Sequence, residues 1–128
     1  MNPSDRLEQL GFKPELTCAT NVRNLEQSIK WYSQKLGFRL LYKTEEIGWC
    51  ELSTPVPGTN LGLSEVEDPK VHGTVLTWSV EDIAHTRQLL EQAGVQFAGE
   101  TDTIPGLAML ASFYDPDGNT YMLAQNLS

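Results

Sequence analysis

The chain repeats its own pattern of elements after 58 residues. The same offset separates Thr17 from Val75 and Asn24 from Asp82, and each half shows a short β-branched strand, a helix and then further strands. Repetition of this kind indicates two copies of one supersecondary unit. We therefore predict an α+β fold of two βαβββ modules, separated by the polar, proline-broken stretch 65–70.

Capping residues and apolar periodicity place the helices. Asn24, with Gln27 three residues later, predicts a helix start, and Gly37 predicts its end. Ser4 or Asp5 could begin a short N-terminal helix that Gly11 stops. The predicted helices are residues 6–10, 24–36 and 84–92, and the predicted strands are 16–22, 38–42, 47–52, 60–64, 75–80, 95–98 and 107–111.

A hairpin is predicted near the C-terminus. The five residues Asp115-Pro116-Asp117-Gly118-Asn119 lie between two runs rich in aromatic and aliphatic residues, 111–114 and 120–124. Pro116 fixes φ near about −65° for an early turn position, and Gly118 or Asn119 can adopt positive φ. Loops of this length and composition join antiparallel strands.

Two motifs carry a family resemblance. The hairpin with its flanks, Phe-x-Asp-Pro-Asp-Gly-Asn-x-x-x-Leu over 113–123, resembles the closing hairpin of the vicinal oxygen chelate superfamily, which includes glyoxalases, bleomycin-resistance proteins and ring-cleaving dioxygenases. The stretch 24–32 with Leu36-Gly37-Phe38 resembles that superfamily's first helix. The resemblance covers 14–126, with module one at about 14–66, module two at about 74–126, and 1–13 as an N-terminal arm.

The resemblance implies a curved, cup-like sheet with the helices outside and a site in the cup. Family enzymes carry His, Glu or Gln as metal ligands at four equivalent strand positions. These positions fall here on Thr17, Gly62, Val75 and Met122, none of which supplies an imidazole or a carboxylate. A shift of one residue brings no ligand either, so we expect no metal and no other cofactor.

Strand alternation predicts which residues line the cup. The lining positions are small, neutral and mildly polar, and Trp49 is either cavity wall or core. We expect the ligand to contact Thr17, Asn21, Trp49, Asn60, Gly62, Val75, Thr77 and Met122. Such a lining suits an uncharged or aromatic organic molecule.

Few titratable residues are available for catalysis. Glu51, Glu65 and His72 are the candidates nearest the cup, and the sequence leaves open which of them face it. His85 is expected on the outer side of the second helix. No second titrating group stands at a fixed spacing from any of these to form an acid–base pair, and the catalytic residues therefore stay unknown.

Composition excludes several classes of partner. The 128 residues include 17 Asp and Glu against 9 Lys and Arg, a net charge of −8, which disfavours nucleic acid and anionic membranes. No apolar run is long enough for a membrane span, and no signal peptide is evident, so a cytoplasmic location is expected. Cys18 and Cys50 are expected to be buried free thiols.

Two classes of function remain. The first is a metal-free protein that binds a small organic molecule, by sequestration or resistance, and the missing metal ligands favour it. The alternative is an enzyme of the same superfamily, a lyase of lactoylglutathione type or a dioxygenase, using a metal or an isolated carboxylate. Because many relatives form their cups as dimers, we also predict a homodimer.

Overall fold

The computed structural model describes residues 2–69, 74–114, 116 and 118–128. The helices are α1 (Pro3–Leu10), α2 (Leu25–Trp31), which continues as a π-helical turn (Tyr32–Leu36), and α3 (Ile83–Gln92). The strands are β1 (Phe12–Val22), β2 (Leu40–Thr44), β3 (Trp49–Ser53), β4 (Thr59–Glu65), β5 (Val75–Val80), β6 (Gln96–Ile104), β7 (Ala108–Tyr114) and β8 (Thr120–Asn126), with a 3₁₀ turn at Glu45–Ile47. None of the helices in these ranges is long and apolar enough to cross a membrane.

The chain packs as two units, residues 16–76 and residues 1–15 with 77–128. In the first unit the strand order is β2-β3-β4-β1, with β1 parallel to β4 and the other pairs antiparallel. In the second unit the order is β5-β8-β7-β6, with β5 parallel to β8 and the other pairs antiparallel. The topology of one unit repeats in the other, and the predicted α+β fold of two βαβββ modules is confirmed.

Each sheet buries one face beneath its helix. In the first unit Leu25 of α2 packs with Cys50, Leu52 and Leu63, and Ile29, Tyr32 and Phe38 surround them. In the second unit Ile83 of α3 packs with Val80, Ala111 and Leu123, flanked by aromatic residues such as Trp78 and Phe113. Since a strand alternates its side chains between two faces, the other face of each sheet is left for function.

The same device fixes the start of α2 and α3. The side chains of Asn24 and Asp82 cap the helices, accepting from the N–H groups of Gln27 (2.9 Å) and His85 (3.2 Å). The last strand of each unit adds a second acceptor. Glu65 Oε2 accepts from Leu25 N at 2.7 Å, and Gln125 Oε1 accepts from Ile83 N at 2.9 Å.

The N-terminal segment is part of the second unit. Thr86 Oγ1 donates to Leu10 O at 2.6 Å, and Glu81 N donates to Gly11 O at 3.1 Å. His85 Nε2 lies 3.1 Å from Gln9 O. The contacts of Thr86 and His85 join α3 to the last turn of α1, so His85 is one of the residues that hold the N-terminal helix.

Several predicted boundaries were wrong. The cap of α1 is Asn2, whose Oδ1 accepts from Asp5 N at 2.9 Å, rather than Ser4 or Asp5. The strand predicted at 38–42 begins at Leu40, because Phe38 turns into the core beside α2. The strand predicted at 95–98 extends to Ile104 across a register shift, because β7 supplies hydrogen-bonding partners for its polar residues.

The hairpin before β8 has its predicted strands. Tyr114 pairs with Thr120, and Phe113 pairs with Tyr121. Gly118 has φ 85°, the positive value expected of it. Asp115 and Asp117 lie outside the described residues.

Candidate ligand-binding face

The face of the first unit's sheet opposite the core carries a continuous patch of polar and aromatic residues. The strand register sets Thr17 beside Asn60, Gly62 beside Glu51, and Glu51 beside Tyr42, so that all four strands contribute. Trp49 lies two residues before Glu51 and therefore on the same side. We call this surface the polar face and define it as Thr17, Asn21, Tyr42, Trp49, Glu51, Asn60 and Gly62.

Glu51 is the centre of the polar face. Its Oε1 accepts from Thr17 Oγ1 and from Asn60 Nδ2, each at 3.3 Å. Its Oε2 accepts from the hydroxyl of Tyr42. The Tyr42 hydroxyl in turn accepts from Trp49 Nε1 at 3.0 Å. The carboxylate is thus held in place by donors from the three other strands.

Trp49 lies flat against the backbone of β4 at Gly62. A Cβ atom at Gly62 would be 2.1 Å from Cη2 of Trp49 and 2.6 Å from its Cζ2. No real side chain tolerates such distances, so the indole occupies the space that any other residue at position 62 would fill. Trp49 therefore lies on the polar face and outside the core cluster.

The structure raises the pKa of two side chains on β2 and β3, one on the polar face and one on the core side. The Tyr42 side chain is 38% exposed, and its partial burial raises the pKa of the hydroxyl to about 12. The hydrogen bond to Glu51 adds to the effect because it favours the protonated phenol. Burial also raises the pKa of the Cys50 thiol to about 11 on the core side of β3. Because thiolate is the reactive form of cysteine, Cys50 is an inert core residue.

The polar face has no positive charge to balance Glu51. Within the described residues no Lys or Arg nitrogen lies within 4.0 Å of its carboxylate. Lys43 pairs in register with the core residue Cys50 and forms its ion pairs with Glu26 and Glu45. Among the described residues, every side chain that donates to this carboxylate is neutral.

The predicted ligand contacts divide between the two units. Thr17, Trp49, Asn60 and Gly62 come together around Glu51, with Asn21 further along β1 on the same side. Thr77 pairs with Met122 on the second unit's sheet, on the face opposite the core residues Trp78 and Leu123. Val75 begins β5 two residues before Thr77, on that same side of the strand.

The remaining titratable candidates do not join the polar face. Glu65 turns toward α2 and caps its first N–H, so it belongs to the helix side of β4. His72 lies outside the described residues. Glu51 is therefore the candidate that the structure places on the polar face.

Tyr42 was missed in the sequence. The alternation from Trp49 to Glu51 could be counted along β3, but placing Tyr42 opposite Glu51 requires the register of the β2–β3 pair. That register shifts between Leu40 and Tyr42, and a shift of one residue reverses the side on which every following residue lies. A periodic pattern in the sequence does not reveal such a shift.

The residues present do not fit the metal site that the resemblance implies. At Gly62 the indole of Trp49 fills the volume that a ligand side chain would need. Thr17 donates to Glu51, and the side chains of Val75 and Met122 offer no oxygen or nitrogen. In the described part of the chain, no group of three or more His, Cys, Asp or Glu residues is placed to hold an ion.

A model of the Glyoxalase/Bleomycin resistance protein/Dioxygenase superfamily matches residues 16–123, most of the chain. The chain belongs to this superfamily. A lactoylglutathione lyase from Oryza sativa subsp. japonica is 29% identical over 139 aligned positions, which cover 94% of this chain and 47% of the relative. The chain thus spans about half the length of that relative.

Solved structures of the superfamily share the fold. The methylmalonyl-CoA epimerase of Mycobacterium tuberculosis aligns with a TM-score of 0.71 and 19% identity, over 91% of this chain and 90% of the epimerase. A superfamily member from Vibrio splendidus 12B01 aligns with a TM-score of 0.63 and 19% identity, over 88% and 98% of the two chains. Relatives in this superfamily include enzymes, and at such identities the likeness concerns the fold.

Proposed function

We propose that this protein binds a small aromatic organic molecule on the polar face without a metal ion, as a sequestering or resistance protein does. The observation that carries the proposal is the ordered cluster in which Glu51 is held by Thr17, Tyr42 and Asn60 beside the indole of Trp49. A few fixed polar groups beside flat rings are the usual composition of a small-molecule site.

The aromatic residues supply contact area. Trp49 and Tyr42 are joined by the indole N–H to hydroxyl bond, which orients both rings. An aromatic ligand that stacks on either ring removes a large apolar area from water at little cost in side-chain entropy, because both rings are already held. The polar groups around Glu51 then decide the orientation of the ligand.

The same cluster favours binding over acid–base chemistry. A general base and a general acid work best with pKa values near the operating pH. Tyr42, the titratable partner of Glu51, has its pKa raised to about 12 and stays protonated at neutral pH. Among the described residues no His, Asp or other Glu forms a hydrogen bond with the Glu51 carboxylate.

An enzyme of the same superfamily is the second candidate. The relatives named as a lactoylglutathione lyase and a methylmalonyl-CoA epimerase favour it, and Glu51 would be its carboxylate. Conversion of substrates of these two classes by the purified protein, lost in Glu51→Gln, would establish the enzyme. Binding without conversion supports the sequestering protein.

The test of the binding proposal is a screen of small aromatic compounds, read from the indole N–H signals in a nitrogen–proton NMR spectrum. The three tryptophans give one signal each, and a ligand on the polar face should shift that of Trp49. Thr17→Arg puts a long charged side chain beside Glu51 and should weaken binding by roughly tenfold or more. Gln34→Arg, an exposed site on the helix side, adds the same charge and should leave binding unchanged.

A compound that binds equally well to the Thr17→Arg protein would place the site elsewhere. A screen in which no compound shifts the Trp49 signal would reject the proposal.

A further inference from the structure

We propose that the ligand of the polar face carries a protonated amine, which binds at Glu51 beside Tyr42 and Trp49. This inference rests on the proposed function and specifies the ligand's charge. The sequence favoured an uncharged or aromatic ligand because the lining predicted by alternation was small and neutral, and it left open whether Glu51 faces the site. The observed position of Glu51 changes that expectation.

The first argument is charge. Glu51 is half-buried, and the described residues put no Lys or Arg nitrogen within 4.0 Å of it. A ligand that covers the polar face removes water from this carboxylate, and an uncompensated negative charge away from water is costly. A cationic ligand supplies the missing opposite charge, whereas a neutral ligand does not.

The second argument is the geometry of the acceptor. An ionised carboxylate has about four lone-pair sites. Three are occupied, two on Oε1 by Thr17 and Asn60 and one on Oε2 by Tyr42. With the donors that the described residues supply, one site on Oε2 remains for a donor from the ligand, and an ammonium N–H can fill it with a charge-assisted hydrogen bond.

The third argument is the aromatic surroundings. Trp and Tyr ring faces attract cations, and Trp does so most strongly. Tyr42 bonds to Glu51 directly, and Trp49 bonds to Tyr42, so both rings belong to the hydrogen-bonded cluster around the carboxylate. The net charge of −8 over the whole chain further raises the local concentration of small cations.

The test compares two probes that differ in charge and share size and ring. 2-Phenylethylamine is protonated at pH 7, and 2-phenylethanol is neutral but also donates a hydrogen bond. Their dissociation constants are measured from the shift of the Trp49 indole signal, with the Trp31 and Trp78 signals as internal references. We expect the amine to bind about tenfold tighter than the alcohol.

Two variants, each of which loses one negative charge, complete the design. Glu51→Gln should bring the ratio of the two constants to about one, since the amide keeps the shape and loses the charge. Glu67→Gln removes an exposed carboxylate after β4 and should preserve the tenfold ratio. Thermal unfolding of both variants verifies that they are folded.

The possible outcomes separate this inference from the proposed function. Equal binding of the two probes by the wild-type protein, or an amine preference that survives in Glu51→Gln, would overturn the amine assignment while leaving aromatic binding on the polar face in place. If neither probe nor any compound of the screen shifts the Trp49 signal, both proposals are rejected.

Discussion

At the scale of single residues, Gly62 determines where Trp49 can lie. Since a Cβ at this position would be 2.1 Å from the indole, Gly62→Ala must displace the ring or the strand. Overpacking of this kind costs about 1–3 kcal/mol of unfolding free energy. We expect a loss in that range in urea denaturation, together with a change in the emission of Trp49.

A double-mutant cycle checks the cause. In a Trp49→Phe background the ring is smaller, so the same glycine substitution should cost clearly less. An equal cost in both backgrounds would show that the destabilisation arises from the backbone of β4 and that the contact with Trp49 is irrelevant to it.

Tyr42 gives a residue-scale prediction about pH. Its pKa in the folded protein is about 12 against 10.0 for the free side chain, so the folded state keeps a proton that the unfolded state loses between these values. The unfolded state then binds fewer protons, and stability falls as pH rises from about 10 to 12. Below pH 10 the contribution is fully present.

Tyrosinate absorbance measures this directly. The difference between the titration of the wild-type protein and that of Tyr42→Phe should be one absorbance step centred near pH 12. A step near pH 10 would mean that the hydroxyl is not held by burial and by Glu51. Unfolding curves at pH 9 and pH 11 should show that only the wild-type protein loses this contribution.

At the scale of elements, α2 and α3 each have a second side-chain acceptor at the N-terminus, supplied by the last strand of the same unit. Glu65→Ala removes the acceptor of Leu25 N, and Gln125→Ala removes that of Ile83 N. Loss of an N-terminal acceptor typically costs about 0.5–2 kcal/mol, so we expect each substitution to lower the unfolding free energy by roughly 1 kcal/mol. Glu67→Ala, an exposed carboxylate nearby, should change it little.

The cost of the two cap substitutions should add in the double variant, because the caps serve different helices with no shared partner. Unfolding by urea with far-UV circular dichroism measures the stability of the wild type and of all four variants. A Glu65→Ala protein as stable as the wild type would show that water replaces the carboxylate at α2.

The elements also show what the sequence could and could not predict. The cap Asn24 and the end of the first helix at Gly37 follow local rules, so they were predicted. The repeat matched Asp82 to Asn24, and the structure shows that it is the cap of α3. The length of β6 was not, because its residues 99–103 are turn-forming and polar and become a strand only through pairing with β7. The polar face divides in the same way. Thr17, Asn60 and Gly62 were predicted because alternation is a property of a single strand, whereas the position of Tyr42 depends on its register with a neighbouring strand.

At the scale of the whole molecule, we expect a homodimer. β2 is the outer strand of the first unit's sheet, and Leu40 and Leu41 are 45% and 50% exposed. An apolar outer strand is a surface that natural proteins usually cover. Light scattering after size exclusion should give twice the chain mass of 14.3 kDa, and Leu41→Lys should shift the protein toward the monomer. A wild-type species of 14.3 kDa at high micromolar concentration would refute the dimer.

Metal binding is the whole-molecule property in which we expect this protein to differ from the metal-dependent members of its superfamily. Thr17, Gly62, Val75 and Met122 stand where the superfamily's ligands are expected, and the place of a side chain at position 62 is taken by Trp49. A specific ligand of the folded state raises the unfolding temperature as its concentration rises. Titration with Ni²⁺, Zn²⁺, Mn²⁺ or Fe²⁺ should therefore leave the unfolding temperature unchanged. Saturable stabilisation that a chelator reverses, with one metal ion per chain, would mean that the ligands come from other residues, and the metal-dependent enzyme would then be the better explanation of the polar face.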